Sequence, residues 1–413
     1  MPHIHFIDVS NRDGVQTARI SLSKFQKTML NWYLARLGVH QSEIGFPYLE
    51  HEARYVRANL ALAAKGAFGA MVLEGWSPAA ADQAAAAMAT GVRHLNVSIA
   101  VSDQHIAHKF RGRLDRTAVI REMQEAVRTA KEAGALTVGA NGEDASRADL
   151  SYLIDYALAA REAGADRVRY CDTIGYDDPF RIYDRVRRLA EATRMPVELH
   201  CHNDLGMGVA NSVAGAKAAL DAGVDAYVNV TVNGIGERAG NADLVSTVLA
   251  FTYAEGLRGY EIGDALGLRA VWPLARYASY ALGLPIPINQ PGVGANAFAH
   301  ESGIHADGAL KDRANYELYD YEDIGRGEAA GPAETSVGRV ITTGEYGGIN
   351  GFRYVYERLG ITFQDEAEAR RVLKLVQYAN AHNQLPLTDD ELRFIAAYPE
   401  EVAQILTLTP GLE

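Results

Sequence analysis

The chain has 413 residues, of which 48% are hydrophobic and 22% are charged, so it can bury the core of a large globular protein. Forty basic residues against 52 acidic ones give a formal net charge of −12, which argues against nucleic acid and anionic membranes as partners. The two cysteines, Cys171 and Cys201, cannot form a disulfide framework, and no apolar run is long enough to span a bilayer. Composition therefore predicts a cytoplasmic globular protein.

A repeated unit of one helix and one short β-branched strand runs through the first two thirds of the chain. Helical stretches end at seven glycines or prolines, spaced by about 25 to 43 residues: Gly38, Gly66, Gly91, Gly134, Gly164, Pro196 and Gly223. A glycine just past a helix end suits the left-handed conformation that closes many helices. With an opening strand at His3–Val9, the repeats add up to eight βα units. This pattern predicts an α/β fold, a (β/α)8 TIM barrel, with an open doubly wound sheet as the alternative because sequence does not show closure.

The helical and linker segments also follow from the pattern. Within 115–133, apolar residues at helical spacing predict one buried face: Val119, Met123, Ala126, Val127 and Ala130. After about residue 280 the rhythm stops in a stretch rich in proline and glycine. Helical patterns return in 365–413, where Thr388 suits an N-cap. We predict a barrel domain at 1–280, a loop-rich linker subdomain at 281–364 and a small α-helical C-terminal subdomain at 365–413.

Two histidines at the end of the seventh strand are candidate metal ligands. Alternate residues of a strand share one face, so His200 and His202 point together into the mouth of the barrel. Two imidazoles can bind one divalent metal, and Asp13, after the first strand, can add a carboxylate. Arg12 beside it can hold an anionic substrate or a developing oxyanion. The alternatives are a polar strand end with local hydrogen bonds and an ordinary charged turn.

Polar residues also end or follow other strands, which is where TIM barrels carry their reacting groups. Glu43 ends strand two, Glu143 and Arg147 follow strand five, and Thr173 ends strand six. A glycine-rich loop, 233–241, follows strand eight and allows close approach of a ligand to the backbone. This placement of polar residues at the strand ends predicts an active site at the rim of the barrel. Two residues of the linker, His305 and Tyr316, are further candidates, with solvated loop side chains as the alternative.

The motifs now assembled resemble one enzyme family. RDGVQ follows strand one, EDASRAD follows strand five, HCHND lies on strand seven and NGIGERAGN follows strand eight, and FAHESGIHADGALKDRANYE comes next in the linker. This set is similar to the Claisen-type synthases that condense an acyl-CoA with a 2-oxo acid on a metal-bearing barrel: the homocitrate, isopropylmalate and citramalate synthases. The similarity covers roughly 4–330. The runs VSDQHIAHKF and EDASRADL resemble homocitrate synthases of the nitrogen-fixation type most.

The resemblance implies roles for individual residues. It implies four residues at a divalent metal (Mg²⁺, Mn²⁺, Co²⁺ or Zn²⁺): Asp13, His200, His202 and Asn241. It implies catalytic roles for Arg12 and an acid–base trio: Glu143, His305 and Tyr316. It implies contacts with the 2-oxo acid for four residues: Gln16, Glu43, Arg147 and Thr173. From the glycine-rich loop we further expect three residues at acetyl-CoA, the co-substrate: Asn233, Gly234 and Gly236.

The implied activity is a metal-assisted Claisen condensation of acetyl-CoA with a 2-oxo acid, followed by thioester hydrolysis. The resemblance also implies a homodimer in which the arm of one subunit reaches over the barrel of its partner. We expect 2-oxoglutarate as acceptor, giving homocitrate, with 2-isopropylmalate, citramalate, citrate or phosphonomethylmalate synthesis as alternatives. Two other classes stay open: a carbon–carbon lyase similar to hydroxymethylglutaryl-CoA lyases, and a non-catalytic barrel.

Four departures from the family pattern concern the acceptor rather than the reaction. Val9-Ser10-Asn11 replaces two threonines and a leucine, and Glu74 stands where relatives carry a basic residue. Asn96 stands where isopropylmalate synthases tend to have histidine, and TTGEYGG replaces a segment close to GKHSG. The expectation of a 2-oxo diacid depends on Arg147, because a guanidinium can pair bidentately with a distal carboxylate.

Overall fold

Eight parallel strands close into a barrel in the computed structural model, which describes residues 1–327, 338–383 and 385–406. The strands are β1 (His3–Asp8), β2 (Gln41–Gly45), β3 (Val72–Pro78), β4 (His94–Ala100), β5 (Thr137–Glu143), β6 (Arg167–Asp172), β7 (Val197–Cys201) and β8 (Ala226–Val230). Each strand pairs with its neighbours in sequence, and β1 completes the ring by pairing with both β2 and β8. The predicted TIM barrel is therefore confirmed, and the open sheet is excluded by this closure. A short extra strand, β9 (Glu261–Ile262), pairs with β1.

Helices cover the outside of the strands. They are α1 (Lys24–Leu37), α2 (Glu50–Ala64), α3 (Ala81–Met88), α4 (Asp103–Lys109), α5 (Arg116–Glu132), α6 (Leu150–Ala163), α7 (Pro179–Thr193), α8 (Gly208–Asp221), α9 (Leu244–Tyr253) and α10 (Val271–Leu282). The predicted face of α5 is buried in full. Gly38 and Gly164 end α1 and α6 with φ of 88° and 99°, the left-handed conformation that the pattern predicted. None of the helices in the described ranges is long and apolar enough to cross a membrane.

Charged side chains fill the middle of the barrel below the rim. Arg167 donates to Glu74 and Glu198 at 2.6 Å each, and Arg169 pairs with Glu43 and with Glu198, the latter at 2.5 Å. Burial by itself raises the pKa of Glu198, but the two guanidinium groups lower it to about 2. The carboxylates of Glu43, Glu74 and Glu198 are close enough together for a metal, yet each already pairs with Arg167 or Arg169. This layer is therefore an ion network, which packs the interior and supports the residues above it.

The chain after the barrel forms a second compact unit, Pro287–Glu413. It contains β10 (Ala299–His300), β11 (Val340–Ile341), α11 (Gly303–Lys311), α12 (Ile349–Arg358), α13 (Glu366–Asn383), α14 (Asp389–Ala397) and α15 (Pro399–Ile405). The predicted N-cap at Thr388 is confirmed, with a capping box to Glu391.

Sequence patterns missed some structure in the second unit. The segment predicted to be loop-rich contains α11 and α12. The sequence did not indicate α11, because a short helix with two glycines shows no clear apolar period. Residues of α12, Phe352 and Tyr356, share one hydrophobic core with the three last helices. The predicted boundaries at 280 and 364 stay predictions.

Candidate active site

Asp13, His200 and His202 meet at the carboxyl-terminal rim of the barrel. Asp13 lies in a turn just after β1, where its N–H donates to the carbonyl of Val9 at 2.8 Å. His200 is on β7 and His202 follows that strand directly. One ligand atom from each of the three residues lies within 4.8 Å of the others, and all three are buried. The structure thus brings together the predicted ligands from strands one and seven.

The protonation of these groups suits a divalent metal. His200 Nδ1 lies 3.0 Å from Asn229 Oδ1, an acceptor, so Nδ1 carries the proton and Nε2 keeps its lone pair. Burial lowers the pKa of both His200 and His202, which favours neutral imidazoles. Burial alone raises the pKa of Asp13, but the charge of Arg12 and the hydrogen bond from Asn241 hold it well below its usual range. Two neutral imidazoles and one carboxylate fit Zn²⁺, Mn²⁺ or Co²⁺ well.

Asn241 completes this group from the loop after β8. Its Nδ2 donates to Asp13 Oδ2 at 2.5 Å, while its buried Oδ1 has no partner in the described part of the chain. That oxygen is free to meet a metal or a metal-bound water. Gly236 makes the contact possible, because a Cβ at this position would overlap Asn241 Nδ2 and lie 3.1 Å from Asp13 Oδ2. Gly236, which the sequence suggested as a contact of acetyl-CoA, therefore leaves room for Asn241 beside the candidate metal ligands.

The other two residues of this loop have their own environments. Asn233 has a left-handed φ of 58°, and its side chain donates to the carbonyl of Ala275 on α10 at 3.0 Å. Gly234 also has a positive φ, 68°, which keeps the turn tight. Contacts of Asn233, Gly234 and Gly236 with acetyl-CoA stay predictions.

Arg12 has one guanidinium nitrogen that makes no hydrogen bond within the described part of the chain. Nε donates to Glu43 Oε2 at 2.7 Å and Nη1 donates to Asp13 Oδ1 at 2.8 Å. Nη2 is buried and finds no hydrogen-bond partner among the described residues. An unsatisfied buried donor is costly, so this nitrogen is poised for an oxygen of a bound substrate. Glu43 is fully buried beneath Arg12 and orients it.

A cavity of about 330 Å³ lies in front of these groups. Three residues predicted to act there, Gln16, Glu143 and Thr173, are part of its wall. The complete lining is Arg12, Asp13, Gln16, Phe46, Tyr48, Trp76, Ser98, Lys109, Asn141, Glu143, Cys171, Thr173, His200, His202, Glu237 and Arg238. Three cationic and three acidic side chains line it, so its formal charge is balanced before any metal binds, and its aromatic members help to exclude water.

Arg147 lies outside this lining. Its Nε and Nη2 donate three hydrogen bonds of 2.8 to 3.0 Å to the buried carboxylate of Asp144. Asp144 itself adopts a left-handed φ of 63°, which turns its side chain back towards Arg147. The guanidinium face that was expected to hold a distal carboxylate is therefore occupied by the protein. A substrate contact of Arg147 stays a prediction.

Glu143 is an ionised carboxylate at the wall of the cavity. Lys109 Nζ lies 2.6 and 2.8 Å from its two oxygens, and His105 Nδ1 lies 3.5 Å away. Burial raises the pKa of Glu143, but the neighbouring His105 and Lys109 outweigh that and lower it. Glu143 is therefore ionised and can accept a proton, but its lowered pKa makes it a weaker base than a free glutamate.

His305 and Tyr316 lie together in the second unit. Their rings stack with centroids 4.3 Å apart. A Cβ at Gly308 would overlap the Tyr316 ring, so this glycine lets the ring lie against α11. Both side chains are exposed within their unit. Their action together with Glu143 stays a prediction.

Sequence analysis missed two supporting residues. Asn229 lies in β8, where its Oδ1 faces His200 and its Nδ2 donates to Glu198 Oε1 at 2.7 Å. The available signal was one amide within the apolar strand AYVNV. Lys109 ends α4 and resembled an ordinary surface lysine near a helix C-terminus.

Comparison with known proteins identifies the family. A family model described as HMGL-like matches residues 3–271, and one described as homocitrate synthase post-HMGL domain-like matches 293–383. The citrate (Re)-synthase of Dehalococcoides mccartyi is 53% identical over 414 residues and is covered to 99%, as is this chain. The 2-isopropylmalate synthase 2 of Caldanaerobacter subterraneus is 36% identical, covering 95% of this chain and 94% of that one. Homocitrate synthase 1 of Nostoc sp. is 35% identical, covering 94% of that protein and 93% of this one.

Solved structures agree on the fold. The HMG-CoA lyase of Bacillus subtilis superposes with a TM-score of 0.55 at 20% identity, covering 70% of this chain and 97% of the lyase. Identity this low supports the barrel alone. The family models and the sequence relatives carry the assignment further, since they span both units. The chain therefore belongs to the HMGL-like family, among the 2-oxo acid-condensing synthases that include the citrate, 2-isopropylmalate and homocitrate synthases.

Proposed function

We propose that this enzyme condenses acetyl-CoA with oxaloacetate and hydrolyses the thioester, releasing citrate and coenzyme A. The reaction class is supported best by one observation: the unpartnered Nη2 of Arg12 lies beside the three metal-ligand candidates at the cavity. The choice of acceptor is supported by the relative named citrate (Re)-synthase, which is 53% identical against 36% and 35% for the isopropylmalate and homocitrate synthases.

The metal has a defined place in this proposal. Asp13, His200 and His202 would hold a divalent cation, with Asn241 beside them, and the cation would supply Lewis acidity to the ketone of the 2-oxo acid. Arg12 Nη2 would donate a hydrogen bond to an oxygen that gains negative charge in the transition state. Because Nε and Nη1 are fixed by two buried carboxylates, this donor is oriented before substrate arrives.

A base must remove one methyl proton of acetyl-CoA before the new carbon–carbon bond forms. Glu143 is ionised and lies at the cavity wall, so its carboxylate can accept a proton directly or receive it from another group. The methyl carbanion attacks the ketone carbon, and the former ketone oxygen takes up a proton to become the hydroxyl. Water then cleaves the thioester to a carboxylate and a thiol. We propose His305 and Tyr316 as the groups that relay protons in these steps.

The predicted 2-oxoglutarate acceptor is the second candidate, because a homocitrate synthase is also among the relatives. The sequence argument for 2-oxoglutarate was that Arg147 would pair with its distal carboxylate. That argument is weaker in the structure, because Arg147 Nε and Nη2 already donate to Asp144.

Two other cations, Lys109 and Arg238, do line the cavity. Each already has a carboxylate partner, Glu143 for Lys109 and Asp204 for Arg238, so a distal carboxylate would share one of these cations. Both acceptors are diacids, so both satisfy this charge argument, while 2-oxoisovalerate does not.

A panel of acceptors tests the proposal. Purified enzyme with acetyl-CoA and a divalent metal receives oxaloacetate, 2-oxoglutarate, pyruvate or 2-oxoisovalerate, and thiol release is followed with a chromogenic reagent. We expect kcat/KM for oxaloacetate to exceed that for 2-oxoisovalerate by at least about tenfold, since a charged subsite discriminates strongly against an apolar group. A preference for 2-oxoglutarate would promote homocitrate synthesis. A preference for 2-oxoisovalerate or pyruvate would refute the diacid argument altogether.

We further propose a homodimer in which His305 and Tyr316 serve the barrel of the partner subunit. Co-expression of differently tagged Asp13→Asn and His305→Ala subunits tests this. If the two residues act in one site across subunits, half of the dimers are mixed and each regains one intact site, giving about a quarter of wild-type activity. If both residues act within one chain, the mixture stays as inactive as its parents.

A further inference from the structure

A second group of metal-ligand candidates lies at the opposite end of the barrel. His5 is on β1, His40 directly precedes β2, and Asp264 is two residues beyond β9. One ligand atom from each lies within 4.8 Å of the others. The group is at the amino-terminal ends of strands whose carboxyl-terminal ends carry the catalytic rim. It takes no part in the proposed reaction.

The spacing of the ligand atoms suits a single ion. His5 Nδ1 lies 2.9 Å from Asp264 Oδ1, and His40 Nδ1 lies 3.8 Å from the same oxygen. Two ligand atoms on one tetrahedral metal, each about 2.1 Å from it, are about 3.4 Å apart. The two distances to Asp264 Oδ1 bracket that value, and all three ligand atoms lie within 4.8 Å of one another.

The surrounding structure holds two of these side chains in place. Asp264 is nearly fully buried, and its second oxygen accepts the N–H of Phe6 at 2.7 Å. The His5 ring stacks on Tyr227 with centroids 5.0 Å apart. Gly263 gives the ring its space, since a Cβ there would overlap it. These supports preorganise a carboxylate and an imidazole towards one point.

Of the three candidate ligands, His40 is the most exposed to solvent. Its side chain is 35% exposed, so an ion can enter beside it and water can supply a fourth ligand. The charge of the nearby Arg167 is offset by Glu74 and Glu198, which it contacts at 2.6 Å each.

A neighbouring histidine, His94, is not one of the three candidate ligands. His94 also lies at this end of the barrel, but its Nδ1 is hydrogen-bonded to Thr137 Oγ1 at 2.8 Å. It is absent from the group of convergent ligand atoms. His94 therefore provides a matched control for His40.

We propose that His5, His40 and Asp264 form a second metal site, for a borderline transition-metal ion such as Zn²⁺, at the amino-terminal end of the barrel. Two imidazoles and one carboxylate favour such an ion over Mg²⁺ or Ca²⁺, which prefer all-oxygen shells. Because the residues come from β1, the start of β2 and the segment after β9, the ion joins three parts of the barrel floor. Its role is to stabilise barrel closure, separately from catalysis.

The experiment counts metal in full-length protein whose catalytic ligands have been removed. The double variant His200→Ala, His202→Ala is stripped with a chelator, equilibrated with Zn²⁺ and desalted, and its metal is measured by mass spectrometry. We expect about one Zn²⁺ per chain to remain. Co²⁺ in place of Zn²⁺ should give the visible absorption bands of a four-coordinate site.

Two further substitutions in that background locate the ion. His40→Phe keeps an aromatic ring against His5 but removes the ligand atom, and it should weaken Zn²⁺ binding at least tenfold while the circular dichroism spectrum stays unchanged. His94→Ala should leave the stoichiometry at one. Loss of all zinc from the double variant, or full retention after His40→Phe, would overturn the second site without affecting the proposed synthase activity.

Discussion

The most informative perturbation of the metal centre is Asn229→Ala, because this residue contacts a ligand without being one. Asn229 Oδ1 accepts from His200 Nδ1 at 3.0 Å, and its Nδ2 donates to Glu198 Oε1 at 2.7 Å. Removing the amide leaves a buried imidazole N–H without an acceptor and frees the ring to turn. Glu198 keeps its ion pairs with both arginines of the barrel interior, so the fold should survive.

The size of the effect follows from the lost hydrogen bond. An unsatisfied buried donor costs about 1–3 kcal/mol, which corresponds to about 10–100-fold in metal affinity, the usual effect of such supporting residues. The assay is competition for Zn²⁺ or Mn²⁺ against a chromophoric chelator, combined with kcat at saturating metal. We expect the apparent Kd of the metal to rise by that factor and kcat at saturation to fall much less.

Asn96→Ala is the matched control for Asn229→Ala. Its amide also lies in the barrel interior, against Arg169 and Glu198, but it does not touch His200. Metal affinity should therefore stay within about twofold of wild type, since no ligand loses its partner. Equal losses in the two variants, or an unchanged metal affinity after Asn229→Ala, would refute the view that Asn229 orients His200.

Three other outcomes are expected. Gly236→Ala should displace Asn241 and weaken metal binding by about 1–3 kcal/mol, which is about 5–150-fold, in the same chelator competition. Burial raises the pKa of Asp8 from 3.8 to about 7, so the folded protein retains a proton that the unfolded chain releases. Stability should therefore fall as pH rises from about 4 to 7, by up to about 4 kcal/mol, and Asp8→Asn should flatten this slope in urea titrations. His305→Ala and Tyr316→Phe should each lower kcat by about 10²–10⁴-fold with unchanged 2-oxo acid binding; normal turnover per folded molecule would assign them a structural role.

Much of the architecture is local information and could be predicted from sequence. The helix-ending glycines set the βα repeat, and counting the repeats gave eight strands, all of which are present. The two-residue period of a strand placed His200 and His202 on one face, and the position of Asp13 after β1 put it on the same rim. These features depend on backbone geometry and on the order of strands, and short stretches of sequence determine both.

Pairing between side chains from distant strands was decided only by the tertiary structure. The sequence left Arg147 available for substrate, whereas the folded loop turns Asp144 onto it. The register between β7 and its neighbours selects Asn229 as the partner of His200, and the close approach of the loop after β8 makes Gly236 necessary for Asn241. Hydrogen bonds form between atoms a few ångströms apart, so closure of the barrel, rather than any local pattern, determines which polar groups are satisfied and which stay free for substrate.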